Sequence, residues 1–274
     1  MSLRINSNIS AMNTHRQLTQ TDKALSTSLE RLSSGLRINR AADDSAGLAI
    51  SQRLQSQVDG LKMASQNAEQ AKNMVQTAEG FLTEVHNMLG RMRELAVQSA
   101  SDTLTDSDRA STEAEFSSLR DEVDRIASSA QYNNTSLLDG TFTNMQIQVG
   151  ANGATDNQIT ISIDGVDSTT LGIDTASVAD LASATAALDL LDTAIDRVSE
   201  QRSALGTIQN RLGYTVSSVD NAAENLASSE STIRDLDISA EITEFTKAQI
   251  LQQSGMSMLA QANSVPQNVL ALFQ

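Results

Sequence analysis

Residues 54–100 read LQSQVDGLKMASQNAEQAKNMVQTAEGFLTEVHNMLGRMRELAVQSA and place an apolar residue at every seventh position. One row runs from Leu54 to Ala96, and a second row, offset by three residues, runs from Ala64 to Met92. Two such rows form a continuous apolar stripe on an α-helix, the pattern of helices that pack lengthwise against each other. A helix over about residues 47–100 would be roughly 75–80 Å long. The pattern therefore predicts a rod or bundle rather than a thick globule.

A second long heptad lies nearer the other end of the chain and predicts a helix over about residues 178–230. Its apolar row comprises Ala184, Leu191, Val198, Leu205, Leu212, Val219, Leu226 and Ile233. The partner row includes Arg202 and Gln209, so we expect part of that row to be exposed or paired. Apolar residues spaced by three and four between Phe116 and Ile126 predict a shorter helix over about residues 106–129.

Between the heptads the periodicity changes from helical to alternating. Met145, Ile147 and Val149 alternate with polar residues, and a second alternating run extends over residues 159–163. The intervening sequence GANGATDN is rich in turn-forming residues. We therefore predict one small β-hairpin region within about residues 140–175.

Both ends of the chain carry amphipathic helical patterns. Residues 4–35 predict one helix, which Gly35 would end because glycine tolerates the left-handed conformation. Residues 238–273 predict another, with a broad apolar surface and an interruption at Gly255. The expected fold class is mainly α: a long antiparallel helical bundle or coiled coil with one small β-hairpin region and paired N- and C-termini.

Charge is distributed unevenly along the chain, whose net charge is −15. Residues 1–50 carry six basic and four acidic side chains, whereas residues 101–200 carry four basic and 18 acidic ones. The ends can pack against copies of the chain while the middle stays hydrated and repulsive, which is typical of a self-assembling protein. The acidity argues against a nucleic-acid partner. No apolar run is long enough for membrane insertion, and the N-terminus lacks a signal-peptide pattern.

Residues that could carry catalysis or bind metal form no convincing constellation. His15 and His86 are the two histidines, and they lie far apart without helically spaced partners. Cysteine is absent. Carboxylate pairs such as Asp43 and Asp44 are expected by chance among 34 acidic residues. We therefore expect no enzyme, no cofactor and no metal site.

Three stretches resemble bacterial flagellin: RINSNI at residues 4–9, SLERLSSGLRINRAADDSAGLAIS at residues 28–51, and STIRDLDISAEITEFTKAQILQQSGMSMLAQANSVPQNVLALF at residues 231–273. The resemblance covers about residues 1–140 and 180–274. It implies a terminal coiled-coil domain of residues 1–45 with 234–274, which forms the filament core. It also implies a rod domain over residues 46–233. Because only about forty residues of hairpin and loop lie in the middle, the chain resembles a short, two-domain flagellin.

The resemblance further implies a subunit of the extracellular flagellar filament for swimming motility, exported unfolded and folding on assembly. Its expected partners are further copies of itself in a helical homopolymer, an export chaperone, the type III export apparatus, and the filament cap and junction proteins. The side chains expected to pack between subunits are Leu25, Leu29, Leu32, Leu36, Ile242, Phe245, Ile250 and Leu259.

The family also includes flagellins sensed by a Toll-like innate receptor. In those, an Arg and a Leu on the first rod helix and a Glu on the next helix form the core contact. Arg91, Leu95 and Glu115 match these positions in this sequence. The same residues would serve equally well as contacts between subunits in the rod.

Two other functions remain open at the level of sequence. A hook–filament junction protein shares the paired terminal helices, but the intact runs at both ends favour flagellin. An exported hydrolase or adhesin built on the same frame would need a large central insert, and the insert here is short.

Overall fold

A computed structural model describes the backbone of residues 7–271 and the side chains of residues 7–264. The helices are α1 (Ile9–Ser34), α2 (Ser45–Ser99), α3 (Asp106–Ser129), α4 (Ser168–Leu171), α5 (Leu181–Arg234) and α6 (Ile238–Ala271). The strands are β1 (Gln131–Tyr132), β2 (Thr135–Ser136), β3 (Met145–Gln148) and β4 (Gln158–Ile161). The chain divides into two compact units: a terminal unit of residues 1–56 with 225–274, and a rod unit of residues 57–224. Helices α2 and α5 each contribute residues to both units.

In the terminal unit, α1 and α6 pack side by side in opposite directions. The Nδ2 group of Asn8 donates to the carbonyl oxygen of Ala262 at 2.8 Å. Further along the pair, the Nε2 group of Gln252 donates to Oδ1 of Asp22 at 2.6 Å. Low numbers on α1 therefore meet high numbers on α6, and the predicted pairing of the two chain ends is confirmed.

The start of α1 differs from the predicted residue 4. Asn8 has a non-helical backbone, and its side-chain oxygen accepts a hydrogen bond from the amide of Ala11 at 3.0 Å. This N-cap satisfies an amide that has no partner inside the helix, so α1 begins at Ile9. The predicted residues 4–6 lie outside the described part of the chain. At the other end, Gly35 adopts a φ of 71° and ends the helix as expected.

A short backbone pairing joins the chain just after α1 to the chain just before α6. The amide of Leu236 donates to the carbonyl oxygen of Gly35 at 3.0 Å. The amide of Arg37 donates to the carbonyl oxygen of Arg234 at 2.7 Å. These bonds use backbone groups rather than side chains, so the pairing fixes the register between the two chain ends.

The predicted interruption of α6 at Gly255 is absent, because the helix runs unbroken from Ile238 to Ala271. A Cβ atom at position 255 would lie 3.1 Å from the Cδ1 atom of Leu18, which is tighter than an ordinary contact. The glycine therefore lets α1 approach α6 closely, a role that outweighs its low helix propensity.

The rod unit has an extensive core in which α2, α3 and α5 take part. Both rows of the first heptad are buried from residue 64 to residue 96, and the second heptad is buried from Ala184 to Leu212. Of the polar residues in the partner row, Gln209 is paired as expected and donates to Oε2 of Glu79 at 2.6 Å, whereas Arg202 is half-buried and its Nε group has no hydrogen-bond partner among the described residues. The long heptads are thus the packing surfaces of a helical bundle.

The turn between α2 and α3 is held by a buried arginine. Arg109 donates to the carbonyl oxygens of Ser99, Ser101 and Leu104 at 3.0–3.2 Å. These carbonyls lie at the end of α2 and just after it, where helix carbonyls lose their intrahelical partners. Thr105 begins α3 with a reciprocal capping box to Asp108.

The β structure contains the predicted hairpin and one that the sequence analysis missed. Strands β3 and β4 pair antiparallel, with Ile147 opposite Ile159. Strands β1 and β2 form the second, shorter pair. Asn133 and Asn134 join them with φ angles of 49° and 64°, which asparagine tolerates better than most residues do.

Candidate assembly interface

The terminal unit has almost no hydrophobic core of its own. Among the residues with described side chains, 39 hydrophobic residues are buried, and only Ile38 and Ala248 of these belong to the terminal unit. The other 37 lie in the rod unit. The rod unit therefore has a hydrophobic core that can stabilise its fold, whereas the terminal unit has almost none.

The fully buried positions of α1 and α6 carry small or polar side chains. Thr21 and Ser28 are the buried residues of α1, and Ala248 is the buried residue of α6 among those with described side chains. Gly255 lies against Leu18 in the same contact. Because these positions hold little apolar area and the larger side chains Leu25, Leu32 and Phe245 are only half-buried, hydrophobic stabilisation of the two helices is incomplete.

Most of the exposed large hydrophobic side chains belong to the terminal unit. Ten of the 16 found among the described residues lie there, although that unit is the smaller one. They are Ile9, Met12, Leu29, Ile50, Ile238, Ile242, Ile250, Leu251, Met256 and Met258. A concentration of this kind on one unit marks an interaction surface.

The structure separates the eight predicted packing residues into two groups. Leu29, Ile242 and Ile250 are exposed, with 55%, 50% and 62% of their surface accessible. The other five are half-buried: Leu25, Leu32, Leu36, Phe245 and Leu259. The first group leaves half or more of its surface free for another molecule, whereas the second is more fully covered within the chain.

Several residues with the same exposure were missing from the predicted set. On α6 they are Leu251, Met256 and Met258, and on α1 they are Ile9 and Met12. The sequence shows that these positions are apolar, but apolar residues occur on most sides of α6. Only the packing against α1 determines which of these residues point outward.

Four ion pairs lie within the described part of the terminal unit. Lys247 lies 3.2 Å from Glu244, and Arg40 lies 2.8 Å from Glu30. Beside the latter pair, the amides of Arg40 and Asn39 donate to Asp43 and lower the pKa of its carboxyl group. A surface with paired charges can approach another copy of itself at little electrostatic cost.

The residues that match the innate-receptor contact lie on α2 and α3 of the rod unit. Arg91 forms ion pairs with Glu115 at 2.8 Å and with Glu94 at 2.9 Å. The carboxylates of Glu94 and Glu115 raise the pKa of the Arg91 guanidinium group. Leu95 is only 1% exposed, so Arg91 and Glu115 are the members of the set that a partner could touch directly.

The described residues contain neither a metal-ligating cluster nor a membrane-spanning helix. Over residues 7–264, no three histidine, cysteine or carboxylate side chains are grouped so that they could hold a metal ion. Within the described residues, no helix is long and apolar enough to cross a membrane.

Comparison with known proteins connects this architecture to one family. The family model for the bacterial flagellin N-terminal helical region matches residues 5–143, and that for the C-terminal helical region matches residues 188–273. The flagellin of Halalkalibacterium halodurans is 46% identical, and the alignment covers 98% of this chain and 99% of the relative. The flagellin of Bacillus subtilis is 42% identical, with 99% and 100% covered.

A solved structure gives the same result at the level of the fold. The crystal structure of Bacillus cereus flagellin superposes with a TM-score of 0.50 at 29% sequence identity. The superposition covers 60% of this chain and 94% of that structure.

Proposed function

The chain belongs to the bacterial flagellin family and is a structural subunit of the extracellular flagellar filament, and from this premise we propose that its terminal unit is the surface that joins subunits. Relatives named flagellin favour this role over a hook–filament junction protein. The observation that carries the proposal is the contrast in burial: the rod unit holds 37 buried hydrophobic residues and the terminal unit holds two.

The exposed apolar side chains of the terminal unit would stabilise an assembly by becoming buried in it. Leaving Leu29, Ile242 and Ile250 in water forgoes roughly 1.5–3 kcal/mol for each side chain that could be fully buried. An amphipathic helix without a partner for its apolar face is marginal in water. Neighbouring copies supply that partner in a polymer. We therefore propose that ordering of the terminal unit is coupled to assembly.

We propose that the part entering the filament core is residues 1–45 with 234–274. The backbone pairing of Gly35 with Leu236, at 3.0 Å, lies close to this boundary and supports it. The chain would leave the cell unfolded through the type III export apparatus. A protein with no cysteine and one proline has no disulfide and little slow prolyl isomerisation to delay refolding. An export chaperone, the filament cap and the junction proteins complete the proposed partners.

Substitution of Ile242 by serine tests the proposed interface. Because Ile242 is half exposed and packs little within the chain, we expect the free energy of unfolding of the monomer to change by less than about 0.5 kcal/mol. The concentration needed for filament growth should rise about tenfold or more, since each subunit loses roughly 1.5–3 kcal/mol of burial. Sedimentation of filaments against total protein concentration measures this.

The matched control for this experiment is Thr243→Ser on the next residue. The Thr243 hydroxyl donates to the carbonyl oxygen of Ser239 within its own helix, which serine can also do. We expect this variant to polymerise like the unsubstituted chain. Normal filament growth by Ile242→Ser would contradict the proposed interface.

A second proposed role is recognition by the Toll-like receptor through Arg91 and Glu115. In its favour, the two side chains are exposed and held together by an ion pair between adjacent helices. Arg91→Ala should lower receptor-reporter activation by monomer about tenfold, the effect of losing roughly 1.4 kcal/mol of binding. The control is Arg93→Ala, which removes another exposed, ion-paired arginine from the same helix. Equal activity of the two variants would refute the role of Arg91.

A further inference from the structure

The paired helices α1 and α6 present two unlike flanks. The groove flank contains two adjoining hollows of about 350 and 230 Å³ that share Gln17, Thr21 and Leu251. Ala24, Ser28 and Ser254, which are small, also line it. The larger apolar side chains Leu18, Leu251 and Met258 line it too, so it is a continuous, shallow and partly apolar groove along the contact between the helices.

The ridge flank is formed by Ile242, Gln249 and Met256 of α6. These residues recur every seven positions and therefore lie in one row along the helix. Ser254, in the groove, is two positions from Met256, which is about 200° around an α-helix. The row and the groove therefore lie on opposite flanks, and Ile242 and Met256 are exposed by 50% and 52%.

We propose that the groove flank of one copy receives the ridge flank of a second copy. The inference rests on the proposed role of the terminal unit and specifies how that unit pairs. Large side chains on one helix surface seat best between helices whose facing side chains are small, as in ridges-into-grooves packing. The exposed Ile242 and Met256 of one copy would fill the hollows of the next copy and bury apolar surface there.

The use of two different flanks has a consequence for the shape of the assembly. Each copy keeps a free groove and a free ridge after one contact has formed, so addition can continue. A contact of ridge with ridge would instead close as a symmetric dimer and leave nothing for a third copy. An open helical array, as a filament requires, follows from the first arrangement.

The charges of the two flanks allow this contact. The described residues that line the groove include two charged ones, Glu244 and Lys247, which neutralise each other at 3.2 Å. The ridge row has no charged member between Ile242 and Met256. The contact therefore brings no unpaired charges together, although the whole chain carries −15. This favours a second copy as the occupant over a strongly charged partner.

Crosslinking of introduced cysteines tests the pairing, because the chain has no cysteine of its own. One population of full-length chains carries Gln249→Cys on the ridge. A second carries Ser254→Cys or Gln17→Cys in the groove. The two populations are copolymerised and treated with a short, flexible bismaleimide, and the crosslinked peptides are mapped by mass spectrometry. Ridge-to-groove dimers are expected in filaments and not in unpolymerised protein.

The control population carries Ser26→Cys, an exposed site two positions from the buried Ser28 and so facing away from α6. It should give no crosslink to Gln249→Cys. Filaments that form without any ridge-to-groove product would overturn the inference and leave the proposed function intact. Dimers of Gln249→Cys with itself would also overturn it. Failure of the unsubstituted chain to polymerise would instead refute the proposed function.

Discussion

Removal of residues 236–274 leaves a folded rod that forms no filaments. The deletion takes away α6 and leaves α1 without its partner, yet 38 of the 39 buried hydrophobic residues remain in the chain. We therefore expect the midpoint of thermal unfolding to stay within about 5 °C of that of the full-length monomer, because the core that sets it is untouched. Circular dichroism and calorimetry measure the fold, and negative-stain electron microscopy after seeding measures polymerisation.

The full-length chain, treated with the same seeds and precipitating salt, is the control for this deletion. Filaments from the truncated chain would show that the rod unit suffices for assembly, and the terminal unit would lose its proposed role. Loss of the cooperative thermal transition would show that the rod unit depends on α6 for its stability.

Phe116→Ala should destabilise the rod unit more than any other aromatic truncation in it. Phe116 lies on α3, its side chain is fully buried, and it belongs to the same core cluster as the long heptads. Removing a buried aromatic ring costs about 3–5 kcal/mol, since the neighbours do not fill the cavity completely. Chemical denaturation of the monomer, followed by far-ultraviolet circular dichroism, measures the loss.

Tyr214→Ala is the matched control, because Tyr214 is an aromatic residue of the same unit with 79% of its surface exposed. We expect it to change the free energy of unfolding by less than about 0.5 kcal/mol. Similar losses for the two variants would mean that the core is not centred on the three long helices.

The parts of this fold that periodicity specifies could be predicted from the sequence. The two long heptads identified α2 and α5 because a seven-residue repeat sustained over many turns has few other structural solutions. Gly35 ends α1 as predicted, with its φ of 71°. Alternation around Ile147 and Ile159 likewise predicted the paired strands β3 and β4.

The parts that depend on one local hydrogen bond or one close contact were not predictable. The side chain of Asn8 caps α1, so that the helix begins at Ile9 and not at the predicted residue 4. The sequence predicts an interruption of the helix at Gly255, whereas this glycine lets Leu18 approach α6 closely. The turn at Asn133 and Asn134 was missed because its flanking strands have only two residues each.

The assembly surface, too, could be predicted only in part from the sequence. The sequence indicates that the end helices carry apolar surfaces. In the structure, Leu29, Ile242 and Ile250 are exposed. The sequence could not separate them from half-buried neighbours such as Phe245, because α6 is apolar over much of its circumference. The packing of α1 against α6 determines which side of α6 is exposed. Sequence periodicity alone does not specify that packing.

Hydrogen exchange of backbone amides, compared between monomer and filament, tests the central claim most directly. Amides report local opening, and a helix pair without a core opens far more often than a packed bundle. We expect residues 9–34 and 238–264 to exchange rapidly in the monomer and to become protected in the filament, while the α2, α3 and α5 core is protected in both. Equal protection of the terminal helices in monomer and filament would contradict the claim that assembly supplies their missing core.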